Sequence, residues 1–172
     1  MVAPFVVMFV PGVTPGKWGR IWADRMPRQP LELRPASETE ALAALNGPAH
    51  MAFVRDVAAT DELHVIPLYR EQPVVVAARD SAVAAADSVT LAELDEFPQF
   101  TPSQLDIVAS GAGVALMPQS VSRAHSRRDL IARPVSDAPD TGIGLAWLPS
   151  AQHPSIEVFV GIVRGRTARS SR

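Results

Sequence analysis

The 172-residue sequence has no cysteine, which excludes disulfides, thiolate zinc sites and cysteine nucleophiles and fits a reducing compartment. Lysine is nearly missing as well. Of 16 basic residues only Lys17 is a lysine; such a bias is usually a property of coding composition and is not by itself a functional signal. There is no excess of positive charge. With a formal net charge of −2, no global basic field draws the chain to nucleic acid or to an anionic membrane. Long apolar runs are also lacking, since nothing approaches the roughly 20 residues of a membrane span. The opening "MVAPFVVMFVPG" lacks a positive start, and Pro11-Gly12 closes its short apolar run. It reads as a buried strand rather than an export signal, so a cytoplasmic protein is expected.

What is present is ordinary for a globular protein: 47% hydrophobic and 20% charged residues, enough for one sizeable domain or two small lobes. "FVVMFV" (5–10), "LELR" (31–34) and "MAFV" (51–54) read as strands. Between them lie two helices. The first covers 15–26, with Trp18, Ile21, Trp22 and Met26 at helical spacing. The second, "SETEALAALNG" (37–47), opens on a Ser37/Glu40 capping box and stops at Gly47. This alternation predicts a parallel sheet covered by helices. The texture then changes. "LHVIPLY" (63–69) and "PVVVAARD" (73–80) are strands with little helix between them. Capping pairs Thr90/Glu93 and Thr101/Gln104 open two short helices, and "VALM" (114–117) is a strand feeding a helix at 118–128. Strands at 130–135 and 142–148 follow. A helix from Pro154 has Ile156, Phe159, Val160 and Val163 on one face, and the basic tail "RGRTARSSR" (164–172) is expected to fray.

The stretch "FVPGVTPGKWGRIW" (9–22) has the look of a phosphate loop. It fails the test, because three residues rather than four separate Gly12 from Gly16, and Trp18 stands where a magnesium-binding hydroxyl belongs. No G-x-G-x-x-G occurs in it either. What remains is a strand end and a loop bearing Thr14 ahead of a helix with Pro15 in its first turn. Free amides there, Gly16 among them, favour an anion, while Thr14 either caps the helix or donates to a ligand. In open parallel sheets ligands sit beyond the carboxyl ends of strands, where this loop lies.

Taken in order, "FVPGVTPGKW", "ALAALNGPAHMAFVR", "LHVIPLYREQPVVVAARDSAVA", "VTLAEL", "IVASGAGVALMPQSVSR", "LIARPVSDA" and "GLAWLPSAQHPSIEVFVGIVR" resemble one family across nearly the whole chain. It is the effector-binding domain of LysR-type transcriptional regulators. The resemblance implies an α/β, two-lobed type II periplasmic-binding-protein-like fold with mixed, mostly parallel sheets flanked by helices. Lobe one would hold 1–70 and 141–172, lobe two 71–140, with a small-molecule ligand between them. Two departures stand out. Nothing supplies the family's winged helix-turn-helix or linker helix, so a stand-alone protein without a DNA-binding domain is expected. Where the family places a strand and a helix or more, this chain has only "DEFPQFTPS" (95–103), so the second lobe is expected to be reduced.

The candidate ligand-binding residues are Thr14, Gly16, Arg55, Gln119 and Ser120. Thr14 matches the family's polar position at the start of the first helix. Arg55 follows the strand "MAFV" and either binds a carboxylate or pairs with Asp56 or Asp61. Gln119 and Ser120 open the helix after "VALM", offering its amides or merely capping it. His50, His64, His125 and His153 lack metal-ligand spacing, no catalytic motif organises the serines and acids, and no cofactor is implied. The leading reading is a non-enzymatic module that senses a small anionic metabolite and acts on transcription through partners, without direct contact to nucleic acid or membrane. The rival is an interaction protein with a vestigial cleft, pairing with itself or with a full-length regulator. A homodimer is expected in either case.

Overall fold

The computed structural model describes residues 2–165; most of the basic tail lies outside them. The chain divides into two compact units, Met1–Tyr69 with Gly142–Arg172 and Arg70–Thr141.

The first unit begins with β1 (Phe5–Phe9), α1 (Gly16–Arg25), β2 (Leu31–Pro35), α2 (Glu38–Ala44) and β3 (Met51–Arg55). β1 pairs in parallel with β2 on one side and β3 on the other. β4 (His64–Glu71) follows, and the second unit then runs through β5 (Pro73–Ala78), α3 (Leu91–Leu94), α4 (Leu105–Ala109), β6 (Ala115–Pro118), α5 (Gln119–Ala124) and β7 (Leu130–Pro134). The chain returns as β8 (Thr141–Trp147) and ends in α6 (Ser155–Val163). β8 inserts between β3, to which it is antiparallel, and β4, giving the sheet order β2-β1-β3-β8-β4.

Val- and Phe-rich β1 and β3 form the middle of this sheet because helices bury both their faces. Phe5 is completely buried and stacks on Trp22 of α1, with ring centroids 5.3 Å apart, while Phe159 of α6 tilts against it at 5.9 Å. Trp18 lies on Phe53 at 4.8 Å and belongs to the same core. Ile21, expected on the apolar face of α1, is instead 36% exposed. The indoles at 18 and 22, one helical turn apart, already fill the space against the sheet.

The second unit is built on a three-stranded sheet, β6-β5-β7, with both ladders antiparallel. β5 is buried along its whole length because it is central and covered on both faces. Val74 and Val76 meet α4 and α5 through Leu105, Val108 and Val121, whereas Val75 and Ala77 point to Val83, Val89 and Leu94. The segment 95–103 supplies a parallel bridge, Gln99 to Val114, beyond β6, and Val89 bridges Val135 in the same way beyond β7. The mixed α/β, two-sheet class holds, with parallel pairing in β2-β1-β3 and at these two bridges and antiparallel pairing at β3-β8, β5-β6 and β5-β7.

Candidate functional site

The loop from β1 to α1 is shaped by its apolar ends. Val10 and Val13 are buried, and the Val13 amide donates to the Val10 carbonyl at 3.2 Å. The turn between them needs Gly12, whose φ of 91° is left-handed. Thr14 is then exposed, and Pro15, which has no side-chain acceptor, takes the N-cap position of α1. Thr14 therefore does not cap the helix. The first bonds of α1 run from the Trp18 and Gly19 amides to the Pro15 carbonyl. Among the described residues the Gly16 and Lys17 amides have no such partner, which leaves two donors and the positive end of a ten-residue helix beside the Thr14 hydroxyl. Lys17 adds a full charge, its Nζ standing 4.7 Å from the centre of the Trp18 ring.

Arg55 comes to the same loop through strand register. Val7 faces Met51 and Phe9 faces Phe53, so continuing the parallel pair brings Arg55 opposite Pro11. Its Nη2 donates to the Pro11 carbonyl at 2.7 Å. Its Nε stands 3.7 Å from the carboxylate of Glu38, the first residue of α2, and the arginine side chain is only 8% exposed. The ion pair is thus with Glu38. Asp56, at a left-handed φ of 50°, receives the Gly142 amide on its carboxylate at 2.6 Å and donates its own amide to the Gly142 carbonyl at 2.8 Å. The arginine braces the loop that carries Thr14.

Gln119 and Ser120 lie in the second unit, at the start of α5. The N-cap is Pro118, so neither side chain caps the helix. The Gln119 amide donates to the Gln72 carbonyl at 3.1 Å and is not free for a ligand. The Ser120 hydroxyl is buried and has no hydrogen-bond partner. The structure thus gathers Thr14, Gly16 and Arg55 at one loop of the first unit, with Gln119 and Ser120 side by side in the second.

Sequence reasoning missed Glu38 and the pairing of His50 with His153, whose ring centroids are 4.6 Å apart. The 44-residue offset between β1 and β3 was the only available signal, and it becomes readable only once the register is known. No group of three or more histidine, cysteine or acidic side chains suited to a metal occurs among the described residues. Nor is any of their helices long and apolar enough to cross a membrane.

Two parallel-sheet strand ends, an uncapped helix start and a second, smaller α/β unit make a two-unit α/β fold of the periplasmic-binding-protein-like kind. The chain belongs to the LysR substrate binding domain family, whose pattern it matches over residues 18–104 and 101–168. The two matched stretches overlap at residues 101–104. The family is a small-molecule-sensing module of transcriptional regulators, not an enzyme family. Similar solved structures include a mutant of the OxyR regulatory domain from Pseudomonas aeruginosa, 20% identical with a TM-score of 0.76 over 95% of this chain and 97% of that one. The effector-binding domain of a BenM variant is 16% identical with a TM-score of 0.81, covering 95% and 97%. That of QuiR, in complex with shikimate, is 15% identical with a TM-score of 0.80, covering 95% and 96%. No curated protein matches the chain in sequence.

Proposed function

We propose that the chain senses a small carboxylate-bearing metabolite in the cytoplasm, as a non-catalytic module of transcription regulation. The observation that carries this reading is the start of α1, where the Gly16 and Lys17 amides and the Thr14 hydroxyl lack partners and Lys17 adds positive charge. An anion at a helix start meets aligned donors and the favourable end of the dipole. Arg55 supports the site by fixing Pro11 rather than by offering a free guanidinium. For the second unit, Gln119 and Ser120 are kept as candidate ligand-binding residues, supported by the orphaned Ser120 hydroxyl. The shikimate seen with QuiR, itself a carboxylate, is consistent with this class. Within these 172 residues there is no thiol, so sensing by cysteine oxidation is ruled out for them.

The test is a thermal-shift screen against carboxylates and their amide analogues, run on the parent chain and on Thr14→Val. A ligand that binds the native state raises its apparent stability by mass action. We expect carboxylates but not amides to raise the midpoint, with a smaller rise in Thr14→Val. No shift with any carboxylate, or equal shifts in both proteins, would sink the proposal.

One observation favours a second reading, an interaction protein that pairs with itself or with a full-length regulator. β6 lies at one side of the three-stranded sheet, with Leu116 on it 39% exposed. Such a strand is a ready template for another chain.

A further inference from the structure

The register that carries Arg55 to Pro11 also carries His50 to Val6, at the other end of the same two strands. His50 donates its backbone amide to the Val6 carbonyl at 2.9 Å, and its Nδ1 receives the Val6 amide at 3.0 Å. His153 stands edge-on to it in the loop before α6. The Nδ1 of His153 receives the amide of Ser155, the first residue of that helix, at 3.2 Å. Pro154, at the N-cap, provides no side-chain acceptor, so the imidazole does the capping. Phe5 packs against both rings, 4.9 Å from His50 and 5.1 Å from His153.

A ring nitrogen that accepts a hydrogen bond carries no proton, so both imidazoles are fixed as the neutral Nε2–H tautomer. That excludes the pair as a two-histidine metal clamp, because each remaining nitrogen presents a proton instead of a lone pair. It also makes protonation disruptive. A proton added at Nδ1 would point at a backbone N–H, and the new cation would face the other imidazole.

No acidic side chain lines the space around the rings to balance a positive charge. Both rings line a cavity of about 480 Å³ with Asn46, Leu148, Ser150 and Gln152, and the two histidines are its only titratable groups. From β1 the rings meet Phe5 and Val6, backed by Trp22 of α1 and Phe159 of α6, all uncharged. Burial first, and then the repulsion between the two rings were both to be charged, hold the pKa of His50 below the ordinary histidine value, against the opposite effect of its bond to the Val6 backbone.

We propose that His50, with the His153 ring packed edge-on against it, is a proton-sensitive latch that ties the start of β1 into the core while its ring is neutral and releases it on protonation. The device is independent of any effector. Because His50 resists protonation in the fold, its contribution is present above the unfolded-state pKa and is lost as pH falls below it.

Ring nitrogen NMR on the parent chain tests the tautomers, and urea unfolding at pH 8 and pH 5 tests the linkage. Both rings should be Nε2–H at pH 8, with His50 titrating below about 6.5. If His50 stays neutral in the fold at pH 5, it lowers the folding equilibrium constant by about 30-fold relative to pH 8. His50→Asn keeps an acceptor oxygen for the Val6 amide but cannot titrate, so it should lose that part of the acid sensitivity. An Nδ1–H tautomer at either ring, native titration of His50 at or above the unfolded value, or undiminished acid sensitivity in a folded His50→Asn would overturn the proposal. The ring measurements decide the matter even if a variant does not fold.

Discussion

Arg55 and Thr14 sit on the two sides of one loop and answer to different forces. The guanidinium of Arg55 is nearly sealed from water, and its bond to the Pro11 carbonyl is charge-assisted. Arg55→Ala is expected to destabilise the protein by about 1.5–3 kcal/mol, the scale of a hydrogen bond to a charged group. Urea unfolding measures that loss. Thr14 is exposed with no bond of its own, so Thr14→Val should leave stability within about 0.5 kcal/mol and act on ligand affinity alone. Equal stability losses in the two variants would contradict the division of labour. The sequence places both residues at one edge because each follows a strand end, and that edge is where they lie. Glu38 was not legible as the partner of Arg55, since nothing local says that the start of α2 folds back over the end of β3.

Helix starts were the most readable elements. Ser37/Glu40, Thr90/Glu93 and Thr101/Gln104 all form capping boxes, because the rule is local and needs no knowledge of the fold. Ser37→Ala should cost about 1 kcal/mol, the usual worth of such a cap, as read by thermal unfolding. Strand direction was less legible. The alternation of strands and helices predicts parallel neighbours, yet β8 enters antiparallel to β3 after a long excursion through the second unit. The segment beside β6 is packed tightly at Gly113. A Cβ there would run into the Pro98 carbonyl oxygen and lie 2.7 Å from the Phe100 ring, where the Val114 amide bonds Pro98 at 2.9 Å. Gly113→Ala should therefore destabilise the second unit by about 1–3 kcal/mol, as over-packing does. Limited proteolysis should show earlier cleavage within residues 70–141, and an unchanged digestion pattern would contradict it.

At the scale of the molecule, a net charge of −2 argues against a nucleic-acid surface on these residues. The purified chain should show no tight, salt-sensitive shift of duplex DNA in a gel. Light scattering over a concentration series should show a homodimer if β6 and its exposed Leu116 are covered by a second copy. A monomer throughout would remove that reading and leave the sensor reading intact. The order β2-β1-β3-β8-β4 has one more consequence, and it concerns time. The second unit, Arg70–Thr141, is a single uninterrupted stretch, whereas the first waits for Gly142 onward to fill the gap between β3 and β4. On a ribosome, the middle of the chain is thus free to finish folding before the beginning can. A nascent chain halted soon after Thr141 has cleared the exit tunnel should carry a protease-resistant second unit and a first unit still open to cleavage.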